Sequence, residues 1–284
     1  MNKKRNFKIF YLSILFPYIY IYIYIYKYRK RYDICLEKNF KIINDRNNKL
    51  YHNYYKIYEQ NYVNSSRKYW EIRYARKGNS GAGSYNNLAL FKASVLNDFI
   101  KKNNINKVIE WGSGDCNQLS LENISSYIGY DVSHTAIDIC KAKFINDKTK
   151  TFIYMNETFK NNKKADLSIS LDVIYHLLED DVFNTYMQNL FNSSNKYVCI
   201  YSSNIDMKWA SHVRHRKFTD WVDKYISNKW KIKDYIPNKY PFDPKKCDST
   251  SFADFYIYEK IEINIFVSIY LFFLRMINKF YNFV

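Results

Sequence analysis

Past about residue 87, apolar residues fall into two alternating rhythms. In one they return every three or four positions; in the other they form short unbroken runs. Leu88, Phe91, Val95, Leu96, Phe99 and Ile100 keep helical spacing and predict a helix over 87–101. The run Lys107 to Trp111 stops at a glycine and predicts a central buried strand. Further strands are predicted over 127–131, 151–155, 165–172, 196–202, 230–236 and 253–259. Between them, helices are predicted over 133–145, capped by Ser133, over 179–192 and over 217–227. Glu179, Asp180 and Asp181 suit the positive N-terminus of the second of these. Strands alternating with helices predict an α/β fold: a Rossmann-like, doubly wound, mostly parallel seven-stranded sheet with helices on both faces.

The rest of the chain has another texture. Residues 9–26 carry no charge, and as a helix they would span about 27 Å, close to the roughly 30 Å of a hydrocarbon core. Basic residues flank both ends. Against a membrane span or signal anchor stands the strict Ile-Tyr alternation from Ile19 to Tyr26, which suits a strand better, and both readings stay open. Residues 32–65 are polar and read as a linker. Residues 261–284 are apolar and aromatic; the charge-free run Ile263 to Leu274 is too short to span and suits a membrane interface. The expected organisation is a basic, apolar segment 1–31, linker 32–65, a catalytic domain 66–260 and tail 261–284.

Charge changes this picture little. Half of the net +17 sits in residues 1–60, which favours an anionic membrane surface beside the N-terminal segment. No nucleic-acid recognition motif is present, and that partner is set aside. The five cysteines are dispersed, odd in number and without C-x-x-C, which predicts reduced thiols in a cytoplasmic domain.

The candidate chemistry gathers at strand ends. Glu110-Trp111-Gly112-Ser113-Gly114 is a strand running into a glycine turn. Asp131 ends the next strand, about 20 residues on. This arrangement binds an adenosine-containing cofactor: the turn admits a ligand close to the main chain, and the acid accepts hydrogen bonds from ribose hydroxyls. Asp172 ends a later strand, with His176 four residues beyond it. His176 reads either as a general base or as a structural histidine at a turn. The cluster His212 to Arg216 reads either as a grip for an anionic acceptor or as a solvated charge run. His212 and His215 lack an obvious third ligand, so no metal is expected.

Taken together, the E-x-G-x-G turn, the spaced Asp131 and the segment Asp172-Val173-Ile174-Tyr175-His176-Leu177 resemble class I S-adenosylmethionine-dependent methyltransferases over residues 65–260. The loop Gly78 to Ser84, Phe91-Lys92-Ala93 and His212 to Phe218 resemble one branch of small methyltransferases. The resemblance implies S-adenosylmethionine as cofactor. It places Gly112 and Gly114 beneath the methionine part, Glu110 near the ammonium, Asp131 on the ribose and Asn156 or Glu157 near the adenine. Asp172 would face either the ammonium or the acceptor, as a catalytic residue with His176. The implied acceptor is a small molecule or a glycan; the oligomeric state is unknown. Cys116 stands where the family's turn carries a third glycine. Two alternatives remain: an inactive methyltransferase fold serving as a membrane-associated adaptor, and a nicotinamide-dependent oxidoreductase, whose fingerprint would need glycine at Asn117.

Overall fold

The computed structural model describes residues 65–262, leaving aside 157 and 211 and the side chains of 208–210. The candidate span at 9–26, residues 32–64 of the linker, residues 263–284 of the tail and Glu157 lie outside the described residues. Among the described residues, no helix is long and apolar enough to cross a membrane.

Seven strands make the main sheet: β1 Lys107–Trp111, β2 Ser126–Asp131, β3 Lys150–Tyr154, β4 Ala165–Leu171, β5 Ser194–Ser202, β8 Trp230–Ile236 and β9 Asp254–Lys260. Their order is β3-β2-β1-β4-β5-β9-β8. The first five are parallel, and β9 runs antiparallel to both β5 and β8. The mostly parallel, doubly wound sheet predicted by the apolar rhythm is thus present. β1 sits between β2 and β4, where the winding reverses, and ligands bind outside the carboxyl ends of strands at such a point. Those ends carry the glycine turn, Asp131 and Asp172.

Helices α2 Asn86–Lys102, α3 His134–Lys143, α4 Asp180–Asn192 and α5 Phe218–Tyr225 match the predicted ones to within two residues. Ser133 caps α3 as expected, its side chain accepting the Ala136 N–H at 3.1 Å. Successive strand residues feed two separate cores. Val108 and Tyr127 join Leu96, Phe99 and Ile137 on one face, while Ile109 and Ile128 join Met187, Leu190 and Phe191 on the other. Burial of both faces is why these strands read as unbroken apolar runs. At the far edge, β8 points Lys231 and Lys233 at Glu259 of β9, each at 3.0 Å.

Two elements were not predicted. Helix α1, Ser66–Ala75, buries only Ser66 and Tyr74, so no apolar stripe announces it. A hairpin of β6 Met207–Ala210 and β7 Val213–His215 carries most of the cluster His212 to Arg216, where no strand was predicted. The thiol reading needs correction: Cys116 and Cys140 form a disulfide, with Cα atoms 5.5 Å apart. The turn after β1 and the inner face of α3 bring two cysteines of ordinary sequence spacing together, a meeting that no motif signals.

Candidate functional site

The chain leaves β1 through residues that need a left-handed backbone: Gly112 at φ 88° and Gly114 at φ 56°. Space demands glycine there too. A Cβ on Gly112 would lie 2.5 Å from Val173, and one on Gly114 would strike Ser80 and Tyr74. The amides of Gly112 and Ser113 donate to the Tyr130 carbonyl of β2 at 2.7 and 3.0 Å. The turn is therefore fastened to the strand that ends in Asp131. Asp131 is buried, and its two oxygens accept the Gly114 and Ser133 N–H groups at 2.9 and 2.8 Å. Burial pushes its carboxyl up to about 6, although the backbone hydrogen bonds pull the other way. The Val132 N–H also reaches it, and the carboxylate keeps acceptor capacity for a further donor.

Glu110, one residue before Trp111, is also buried. It accepts the Tyr127 hydroxyl, and burial pushes it up to about 7. From the other side the loop 79–84 locks onto the turn. Ser80 N–H donates to Asp115 and Asp115 N–H to Ser80 Oγ, at 2.9 and 3.0 Å. Burial alone would raise Asp115, but hydrogen bonds from Ser80, Tyr85 and Asn117 outweigh it and hold the carboxyl low. The glycine-rich loop is thus tied down at its centre.

Past β4, Asp172 has φ 60°. Its carboxylate accepts Lys92 Nζ at 2.6 Å and Tyr175 Oη at 2.7 Å. Lys92 is fully buried. Asp172 is thus one half of a largely buried ion pair. His176 is held differently: Nδ1 lies 3.0 Å from the His212 carbonyl oxygen. A carbonyl only accepts, so Nδ1 carries the proton and Nε2 is the basic nitrogen. The ring meets Trp70 of α1 edge-on at 4.9 Å.

The cluster 212–216 does not reach out for an anion. Arg216 is buried and donates to the Leu177 and Leu178 carbonyls and to Asp180. Arg214 donates to Leu178 and pairs with Asp180. Both guanidinium groups brace the segment that carries His176, which is a structural use of the motif.

These pieces enclose one cavity of about 480 Å³. Glu110, Gly112, Gly114 and Asp131 line it on the β1–β2 side, with Asn156 beyond them; Asp172 and His176 line the β4 side. Every described candidate therefore reaches the same cavity. Trp70, Tyr74 and Arg67 also line it, all from α1, which sequence reasoning passed over. The available signal was Ser65, whose hydroxyl caps α1 by accepting the Lys68 N–H at 3.4 Å. α1 is fixed across the opening by Ser66 to Glu179, by Arg67 to the Met155 carbonyl and by Glu71 to Ser133 and Thr135.

No protein-family model and no curated protein matches the chain. Among solved structures, the magnesium protoporphyrin IX methyltransferase ChlM from Synechocystis PCC 6803 with bound SAH is 14% identical, matching 69% of this chain and 98% of its own at a TM-score of 0.50. The fold is that of the class I S-adenosylmethionine-dependent methyltransferases. The N-methyltransferase NodS from Bradyrhizobium japonicum WM9, in complex with S-adenosylhomocysteine, is 13% identical over 61% of this chain and 86% of its own, with a TM-score of 0.48.

In this methyltransferase fold the stretch after the glycine turn matters for the nicotinamide alternative. Here it is only a short 3-10 turn, Leu119–Leu121. Among the described residues, no α-helix begins directly after the turn to receive a pyrophosphate, and Asn117 donates to the Ser84 carbonyl.

Burial pushes the His176 imidazole down to about 4, so it is neutral when folded. A lowered histidine stabilises the fold fully above its unfolded value of 6.5 and loses that contribution as pH falls from there toward 4. His215 is pushed the same way, to about 4. Replacing His176 with Gln is therefore expected to flatten the loss of stability between pH 6.5 and 4, measured by urea unfolding at several pH values. An unchanged slope would assign the acid sensitivity elsewhere.

Proposed function

We propose that the chain is an S-adenosylmethionine-dependent methyltransferase acting on a small-molecule acceptor, a glycan included. The observation that carries this is Asp131: a buried carboxylate on the cavity wall, oriented by the Gly114 and Ser133 amides, with acceptor capacity left for a sugar hydroxyl. The lining supports it. Glu110, Asp115, Asp131, Asp172, Glu179 and Asp181 face one arginine, Arg67, which suits a cationic ligand within a basic chain.

The cofactor supplies a methyl group on a sulfonium that is already a good leaving group. The protein's task is then alignment and exclusion of water. Gly112 and Gly114 let the main chain come close. Asp131 orients the ribose. Glu110, held by Tyr127, supports the ammonium end, while Lys92 and Asp172 fix the opposite wall. Trp70 and Tyr74 close the cavity toward solvent. Where the acceptor keeps a proton, His176 Nε2 is the group to take it.

Two measurements test the reading. Millimolar S-adenosylhomocysteine added to the full chain should raise its melting temperature; a hundredfold excess over Kd corresponds to about 2.7 kcal/mol. A radiolabelled methyl donor in a cell extract should then mark an acceptor. No thermal shift at millimolar ligand would overturn the assignment.

A further inference from the structure

Cys116 and Cys140 take no part in the chemistry proposed for the cavity, yet they clasp both of its cofactor-side elements. Cys116 ends the glycine turn, in the left-handed region at φ 56°. Cys140 lies on the buried face of α3, the helix that Ser133 caps just after Asp131. Their bond joins positions 24 apart, and the ring it closes contains β2 and Asp131. The Cys140 sulfur lies 3.1 Å from the Gly114 carbonyl oxygen, and the Gly114 N–H is the group that orients Asp131. A non-glycine residue at positive φ persists only where its surroundings hold it there. Here the tether runs from that residue to the helix behind the ribose acid.

We infer that Cys116–Cys140 is a redox-modification site that sets cofactor affinity: the disulfide holds the turn in its binding geometry, and reduction to the dithiol releases it. This rests on the cofactor reading of the cavity. The exchange balances with a small dithiol as reductant. Its thiolate attacks one sulfur to give a mixed disulfide, and its second thiolate then displaces the protein sulfur. The Cys116–Cys140 bond is broken, both sulfurs take up protons, and the reductant leaves as its own disulfide. Both protein sulfurs are buried, so attack requires the turn to open. A bound cofactor opposes that opening. Linkage makes the effect reciprocal: whatever the closed disulfide adds to cofactor binding, bound cofactor adds to the resistance of the disulfide.

The test uses the full chain and S-adenosylhomocysteine. Calorimetric titration of oxidised protein, and of protein reduced with dithiothreitol, is expected to show binding weakened by about tenfold on reduction. Cys140→Ala should bind weakly in both conditions and ignore dithiothreitol. On the wild-type chain alone, thiol release under dithiothreitol should slow by about fivefold or more when the ligand is saturating, because bound ligand depletes the opened turn through which attack occurs. This kinetic arm decides the matter even if the variant does not fold. Equal affinity in both redox states, or a release rate indifferent to the ligand, overturns the inference and leaves the cofactor reading intact. No binding to the oxidised chain sinks that reading, and the inference with it.

Discussion

Replacing Lys92 with methionine is expected to destabilise the protein by about 3–5 kcal/mol, the largest single-site loss anticipated on this chain. Lys92 is fully buried, its ammonium 2.6 Å from Asp172 and over the Tyr201 ring at 5.3 Å. Methionine fills the volume but leaves a largely buried carboxylate with only the Tyr175 hydroxyl. The cost is the stranded charge more than the lost contact. Asp172→Asn on the Lys92→Met background should therefore recover more than half of the loss, since asparagine removes the charge and tolerates φ 60°. Urea unfolding of wild type and the two variants reads this directly. A single variant within about 1 kcal/mol of wild type would mean that the pair is not buried as described.

The second large effect concerns binding. Asp131→Ala should weaken S-adenosylhomocysteine by about a hundredfold, the loss of two hydrogen bonds to a charged group, while far-UV circular dichroism keeps the wild-type shape. The pH dependence carries a matching sign. The carboxyl is raised to about 6, so binding that needs both oxygens as acceptors should weaken as pH falls through that value. Asp131→Ala should lose this slope along with the affinity. An alanine variant that binds within about threefold of wild type would remove Asp131 from the site.

Much of this was legible in advance because burial on both faces writes apolar runs into the sequence. β1, β2, β4 and β5 announced themselves, and the acids at the ends of β1, β2 and β4 fell into one cavity. What stayed hidden depends on partners distant along the chain. Lys92 breaks the apolar face of α2 as any exposed lysine would, and only Asp172, 80 residues on, makes it a core residue. Arg214 and Arg216 looked like an exposed basic cluster, and only the carbonyls of Leu177 and Leu178 show what they hold. α1 packs a polar, aromatic face over an opening and so lacks the stripe that marks a core helix. Cys116 and Cys140 carry no spacing code for their union.

The lysines on β8 bear on self-association. That strand comes last in the sheet order of the described residues, and Lys231 and Lys233 stand on it, shared by a single glutamate of β9. Two copies docking rim to rim would set four ammonium groups beside one another with two carboxylates between them. Such guarding discourages runaway strand addition. A dimer seam is therefore not expected along this border.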